Sequence, residues 1–264
     1  MFLSLATLVR YRGLILSLVA RDLKARYRGS VLGFFWSFIN PLLFLTIYSF
    51  VFSVVLPGLH SKEIEPYALF MFCGILPWTW FSSSLTEAAG SLISGGNLIK
   101  KVLFPAEVLP LVSVLANMMH FFLGLPILAV FLIYYRRPPD AWDLVWFPIA
   151  VIVQLVFTSG LALILAALTV HFRDLRDILS NILTLWFFST PIIYWIKEAP
   201  GFSKRVLDFN PMTHLVVSYQ EILFFAGPIG HWKWLLALGA LSVVQFLAAY
   251  WLFDRLRDSF AESV

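Results

Sequence analysis

The longest stretch of this chain without Asp, Glu, Lys or Arg covers residues 29–61. It follows directly on six basic residues, Arg10, Arg12, Arg21, Lys24, Arg26 and Arg28. Inside it, residues 34–56 are apolar apart from Ser37, Asn40, Thr46, Ser49 and Ser53. At helical rise that segment measures roughly 35 Å, enough to cross a bilayer core of about 30 Å with some tilt. Lys and Arg gather on the cytoplasmic side of membrane proteins, so the sequence predicts a chain that starts inside.

Further uncharged stretches lie at 66–86, 108–135, 144–172, 178–196 and 234–253. Each holds enough apolar residues for a span. The pattern predicts six transmembrane helices, over 34–56, 67–86, 108–134, 146–170, 178–196 and 234–253, with both termini cytoplasmic. Only 13% of the 264 residues are charged, against about 25% in a soluble domain. The reading is therefore an all-α integral membrane protein with one transmembrane domain over residues 1–264. Of the 19 Lys and Arg residues, twelve then fall on the amino-terminal side of the membrane, in agreement with the positive-inside rule. These basic residues sit between apolar spans, so lipid headgroups and topology account for them and no nucleic-acid partner is expected.

The segments between spans carry signals of their own. Within residues 1–28, Arg10, Gly13, Ser17, Arg21 and Lys24 share a narrow helical arc, and Leu8, Tyr11, Leu14, Ile15, Leu18, Val19 and Leu23 occupy much of the rest. A helix with that division is expected to lie at the headgroup boundary. In the connection after span two, Gly95 and Gly96 break the helix and residues 98–104 are expected to form a short one. Residues 197–233 are rich in Pro and Gly, yet 212–225 reads as a helix too short to span. It is expected either to dip into the membrane from outside and return, at a depth where irregular backbone must be buried in protein or face a watery cavity, or to lie in the outer interface.

Several chemistries are disfavoured by the residues. Gly90 and Gly95 have the glycine spacing of a phosphate-binding loop, but Gly96 and Asn97 stand where Lys and Ser/Thr are required. Energy for active transport would come from a partner or an ion gradient. Ion-coupled carriers keep carboxylates within their spans, whereas here His120 is the one ionisable candidate well inside a run. Ser82, Ser83 and Ser84 lack a nearby His–Asp pair, and Cys73 is the only cysteine; no cofactor or metal is expected on this chain.

Aromatic residues make up 17% of the chain. On span one, Phe34, Phe38, Tyr48 and Phe52 fall within one arc of the helical wheel. On span five, Phe187 pairs with Tyr194 at seven residues' spacing, and Trp186 and Trp195 flank the same stretch. Aromatic rings stack on the apolar faces of sugars, so these eight residues are the expected lining of a path for a glycan. Arg173 and Asp174 form a tight turn after span four and are expected at the cytoplasmic face as a charge network.

The segment from Arg21 through Asp22, Lys24, Arg28 and Gly29 to Gly33, followed by Trp36 and Asn40–Pro41–Leu42, resembles the opening of the membrane subunits of ABC-type polysaccharide exporters. These are the type 2 permeases that move O-antigen, capsule or teichoic acid. The resemblance continues through Leu103–Phe104–Pro105, Phe172–Arg173–Asp174 and Asn210–Pro211, in order and over nearly the whole length. It implies two copies forming a channel in a bacterial inner membrane, each paired with a separate ATPase subunit that holds ATP and Mg. It implies a lipid-linked polysaccharide cargo, and short re-entrant helices in the outer loop between spans five and six. It also implies contacts to the ATPases from the amino-terminal helix, with Arg21, Asp22 and Lys24, and from the connection after span two, with Lys100, Lys101, Leu103, Phe104 and Pro105. Two alternatives are a drug or lipid exporter of the same superfamily, and a membrane enzyme acting on lipid-linked sugars with Glu87 and Glu107 as its carboxylates.

Overall fold

The computed structural model describes residues 10–55, 62–96, 105–139, 143–198, 200–225 and 227–263. Every regular element among them is helical: α1 (Arg12–Arg26), α2 (Trp36–Phe50), α3 (Tyr67–Ser94), α4 (Val108–Tyr134), α5 (Trp146–His171), α6 (Leu175–Phe188), α7 (Gly201–Asp208), α8 (Pro211–Leu223) and α9 (Trp232–Ser263). Of these, α3, α4, α5 and α9 are long and apolar enough to cross a membrane. The first expected span is a shorter α-helix that runs on into a π-helical turn over Val51–Val55.

The expected span over residues 178–196 takes a different form. Its helix, α6, ends at Phe188 after 14 residues, roughly 21 Å and short of a bilayer core. Pro191 accounts for the stop, because proline lacks an N–H and disfavours helical backbone in the residue before it. Away from water the carbonyls released by such a break need partners. Side chains provide them. Thr190 Oγ1 donates to Trp186 O at 2.8 Å, Asn210 Nδ2 to Ser189 O at 2.8 Å, Gln220 Nε2 to Pro191 O at 2.9 Å and Tyr67 OH to Ile193 O at 2.8 Å. The chain then turns back through α7 into α8, 13 residues of which 11 are buried.

α3 is the central column. In its most apolar stretch 83% of residues are buried, against 28% for α9, whose Leu236, Leu241, Val244 and Trp251 remain exposed. Lipid tails are as apolar as Leu, so close packing holds such helices together rather than exclusion of water. Glycines permit it at the crossings. A Cβ on Gly160 of α5 would lie 3.1 Å from the Cα of Phe246 in α9, and one on Gly74 of α3 3.2 Å from Val216 in α8. Between helices, Gln154 Nε2 of α5 donates to Pro77 O of α3 at 2.7 Å, and Trp80 Nε1 of α3 to Val114 O of α4 at 3.1 Å.

α1 is more than a surface helix. Its Leu18 and Val19 are buried in an apolar cluster with Leu92 of α3, Val108 and Val112 of α4, Ala166 of α5 and Phe253 and Phe260 of α9. The amino-terminal helix and the carboxy-terminal part of α9 therefore meet at one end of the bundle. Pro105 and Ala106 are buried at that same end, and Arg173 and Asp174 are exposed there, between α5 and α6.

Candidate functional site

Two adjoining cavities open along α3. The first, about 410 Å³, lies towards the α1 end, between Arg26 and Tyr27, the start of α2, α3 and α4. The second, about 460 Å³, is a groove walled by α2, α3 and α6. Phe44, Ile75, Thr79 and Ser83 line both.

The first cavity holds a polar network. Arg26 pairs with Glu87 of α3 and, at 3.3 Å, with Asp22 one helical turn back in α1. Arg26 Nη1 donates to Asn117 Oδ1 of α4 at 3.1 Å, and Asn117 Nδ2 donates to Glu87 Oε2 at 2.8 Å. One cation and two side chains thus tie α1, α3 and α4 together. Next to them the Tyr27 hydroxyl lies 2.6 Å from Ser37 Oγ and 3.4 Å from His120 Nδ1. His120 is accordingly a histidine engaged with neighbouring elements.

The groove has a different chemistry. Thr79, Ser82, Ser83 and Thr86 of α3 face it, together with Ser180 and Thr184 of α6. Aromatic rings stand among these hydroxyls: Phe44 and Tyr48 of α2, stacked with centroids 6.3 Å apart, Trp78 of α3 and Phe187 of α6, with 5.7 Å between the last two. No charged side chain lines this cavity among the described residues. Phenyl, indole and hydroxyl groups in one uncharged trough suit a ligand that alternates apolar faces with polar edges.

The residues expected from sequence are distributed as follows. Tyr48 and Phe187 stand on the groove together. Phe38 is half-buried and lines neither cavity, while Phe34 and Phe52 carry side chains outside the described set. Trp186 packs edge-on against Phe81 at 5.1 Å and donates Nε1–H to Asn210 Oδ1 at 2.7 Å. Tyr194 donates to Phe188 O, and Trp195 stacks on Phe225 with Lys197 over its ring. Arg21 and Lys24 are exposed on α1, whereas Lys100, Lys101, Leu103 and Phe104 lie outside the described residues.

Asn210 joins the elements behind the groove. Its Oδ1 accepts from Trp186 Nε1 and, at 3.0 Å, from Met212 N, capping the start of α8. Its Nδ2 donates to Ser189 O and, at 3.1 Å, to Thr190 Oγ1. The hydroxyl face of α3 is the feature that sequence reasoning missed. Its signal is the spacing 79, 82, 83 and 86, one side of a helix at i, i+3, i+4 and i+7.

A family described as ABC-2 type transporter matches residues 13–224. The O-antigen export system permease protein RfbA of Myxococcus xanthus is 46% identical over 259 residues, 97% of each chain. A protein of the same name from Klebsiella pneumoniae is 34% identical over 251 residues, 94% of each chain. The polysialic acid transport protein KpsM of Escherichia coli is 20% identical over 218 residues, 78% of this chain and 79% of its own.

Proposed function

We propose that this chain, which belongs to the ABC-2 type transporter family, is the membrane-spanning subunit of an ABC exporter of polysaccharide and uses the α2–α3–α6 groove as its share of the path. It is a transport subunit and not an enzyme. The observation that carries the reading is the groove itself, where aromatic rings and hydroxyls alternate and no charge interrupts them. Its relatives over nearly the full length are O-antigen export permeases.

In this reading two copies set their grooves face to face across the membrane. α2, α3, α4, α5, α6 and α9 make six crossings, α6 completed by the turn that follows it, and α7 and α8 re-enter from the outer side. The α1 end faces the cytoplasm, with both termini there, in the inner membrane of a bacterium. A separate ATPase subunit docks on each copy and holds ATP and Mg. Its docking surface is α1, with Arg21, Asp22 and Lys24, the segment carrying Lys100, Lys101, Leu103, Phe104 and Pro105, and the Arg173–Asp174 turn. The cargo arrives attached to a lipid. Two facts support this sidedness: α1 and the end of α9 share one cluster, and the basic residues concentrate on that side.

The test is removal of the chain from its host. The expected outcome is loss of polysaccharide from the cell surface with lipid-linked polymer retained inside, and recovery on restoring the chain. Unchanged surface polymer would refute the proposal.

A further inference from the structure

Six Ser and Thr hydroxyls meet on the groove, four from α3 and two from α6, beside the phenol of Tyr48. Four of the six already use their proton within their own helix. Ser82 donates to Thr79 O at 3.5 Å, Thr86 to Ser82 O at 2.9 Å, Ser180 to Asp177 O at 2.8 Å and Thr184 to Ser180 O at 3.0 Å. Such back-bonding is ordinary for Ser and Thr inside apolar helices. What is particular here is that two helices bring these groups to one trough, among aromatic rings. A hydroxyl has one proton and two lone pairs. Once the proton is committed, each of these groups meets a ligand as an acceptor.

Acceptors select for donors. A sugar hydroxyl brings an O–H to each lone pair and lays its ring face on Tyr48, Phe44 or Phe187. An ionised carboxylate, sulfate or phosphate is an acceptor only. In the groove it would shed water, face the lone pairs of these four groups with only the hydroxyls of Thr79, Ser83 and Tyr48 left to donate, and find no cation in the described lining, at a cost that a paired charge would relieve. Neither cation near it lines the groove: Arg26 of the adjoining cavity is paired with Glu87 and Asp22, and Arg176 lies beside Gly90, one helical turn beyond Thr86. We propose that the groove passes an uncharged polyol chain and discriminates against polymers bearing an anionic group on their repeat units. The inference rests on the export reading and narrows its substrate class.

The experiment uses proteoliposomes holding the chain with its ATPase subunit. They are supplied with a lipid-anchored neutral glycan, or with the same glycan whose primary alcohols have been oxidised to carboxylates. ATP-driven movement of the neutral polymer should be faster by about ten-fold, the scale set by an unpaired polar group. A Thr86→Val, Thr184→Val double variant keeps side-chain shape and removes two acceptors. It should slow the neutral polymer and bring the two rates together. Equal rates for both polymers with the natural chain would overturn the inference and leave export standing, and so would an unchanged ratio in the double variant. Movement of neither polymer would overturn the export reading and this inference with it.

Discussion

The imidazoles of His214 and His231 share a hydrogen bond, with Nδ1 of the first 3.1 Å from Nε2 of the second. His214 Nε2 lies 2.9 Å from Asp208 O, which can only accept. That nitrogen therefore carries the hydrogen of neutral His214, Nδ1 accepts, and His231 donates. Trp234 stacks flat on His214 at 4.8 Å, and the His231 backbone N–H donates to Glu221 Oε2 at 2.8 Å. The pair fastens α8 to the head of α9.

Burial, with His214 beside it, lowers the His231 pKa from 6.5 to about 4. Asp208, Lys204 and the Glu221 carboxylate are its other titratable neighbours. Between those two values the unfolded chain holds a proton that the folded chain does not, so stability falls as pH drops through that window. Thermal unfolding of the purified protein at a series of pH values should show Tm declining below pH 6.5. His231→Gln should remove that part of the decline. A profile identical in the variant would refute the assignment.

Gly160→Val should destabilise the α5–α9 crossing. The first added carbon meets backbone at Phe246, 3.1 Å away, and Gln245 at 3.2 Å. Overpacking costs about 1–3 kcal/mol, and the backbone of α9 cannot rotate aside as a side chain would. Gly124→Val is the comparison, since its clash is with the tip of the Leu76 side chain, which can change rotamer. The measurement is thermal unfolding in detergent, and the glycine at 160 should be the less tolerant of the two.

Arg26 and Glu87 should be coupled in a double-mutant cycle. Removing Arg26 strands Glu87 with Asn117 alone among the partners described here. Both charged side chains are partly exposed, so solvent screening holds the coupling to about 1 kcal/mol. Arg26→Ala and Glu87→Gln together should cost less than the sum of the two alone. Strict additivity would show that the pair does not tie α1 to the bundle.

Tyr48→Ala and Phe187→Ala should each slow export while assembly with the ATPase and ATP hydrolysis persist. Aromatic contacts contribute about 0.5–1.5 kcal/mol each, which sets the effect at a several-fold loss. Phe35→Ala and Phe50→Ala, on exposed rings elsewhere on the first span, serve as controls. Equal losses in both sets would count against the groove.

The long helices were legible because a bilayer demands uncharged stretches of a set length, and α3, α4, α5 and α9 fall on them. The stretch at 178–196 satisfies the same rule by hydropathy, yet Pro191 in its last third already announced the turn that ends α6. Of the aromatic arc on the first span, Tyr48 stands on the groove, Phe38 lines neither cavity, and the side chains of Phe34 and Phe52 lie outside the described residues. Ser37 and Asn40, with Pro41, Phe44 and Tyr48 at helical spacing, mark the face turned to the cavities. The polar network of Arg26, Glu87 and Asn117 was not legible, since it joins residues up to 91 positions apart that only tertiary packing brings together.

Asn210 uses its amide oxygen and its amide nitrogen to hold both the end of α6 and the start of α8. α6 is one wall of the groove, and α8 is wedged into the middle of the bundle. A single planar amide rivets wall to wedge. Swinging α6 away from α8 would break three hydrogen bonds at this one side chain, so the width of the trough is coupled to the packing at the centre of the bundle.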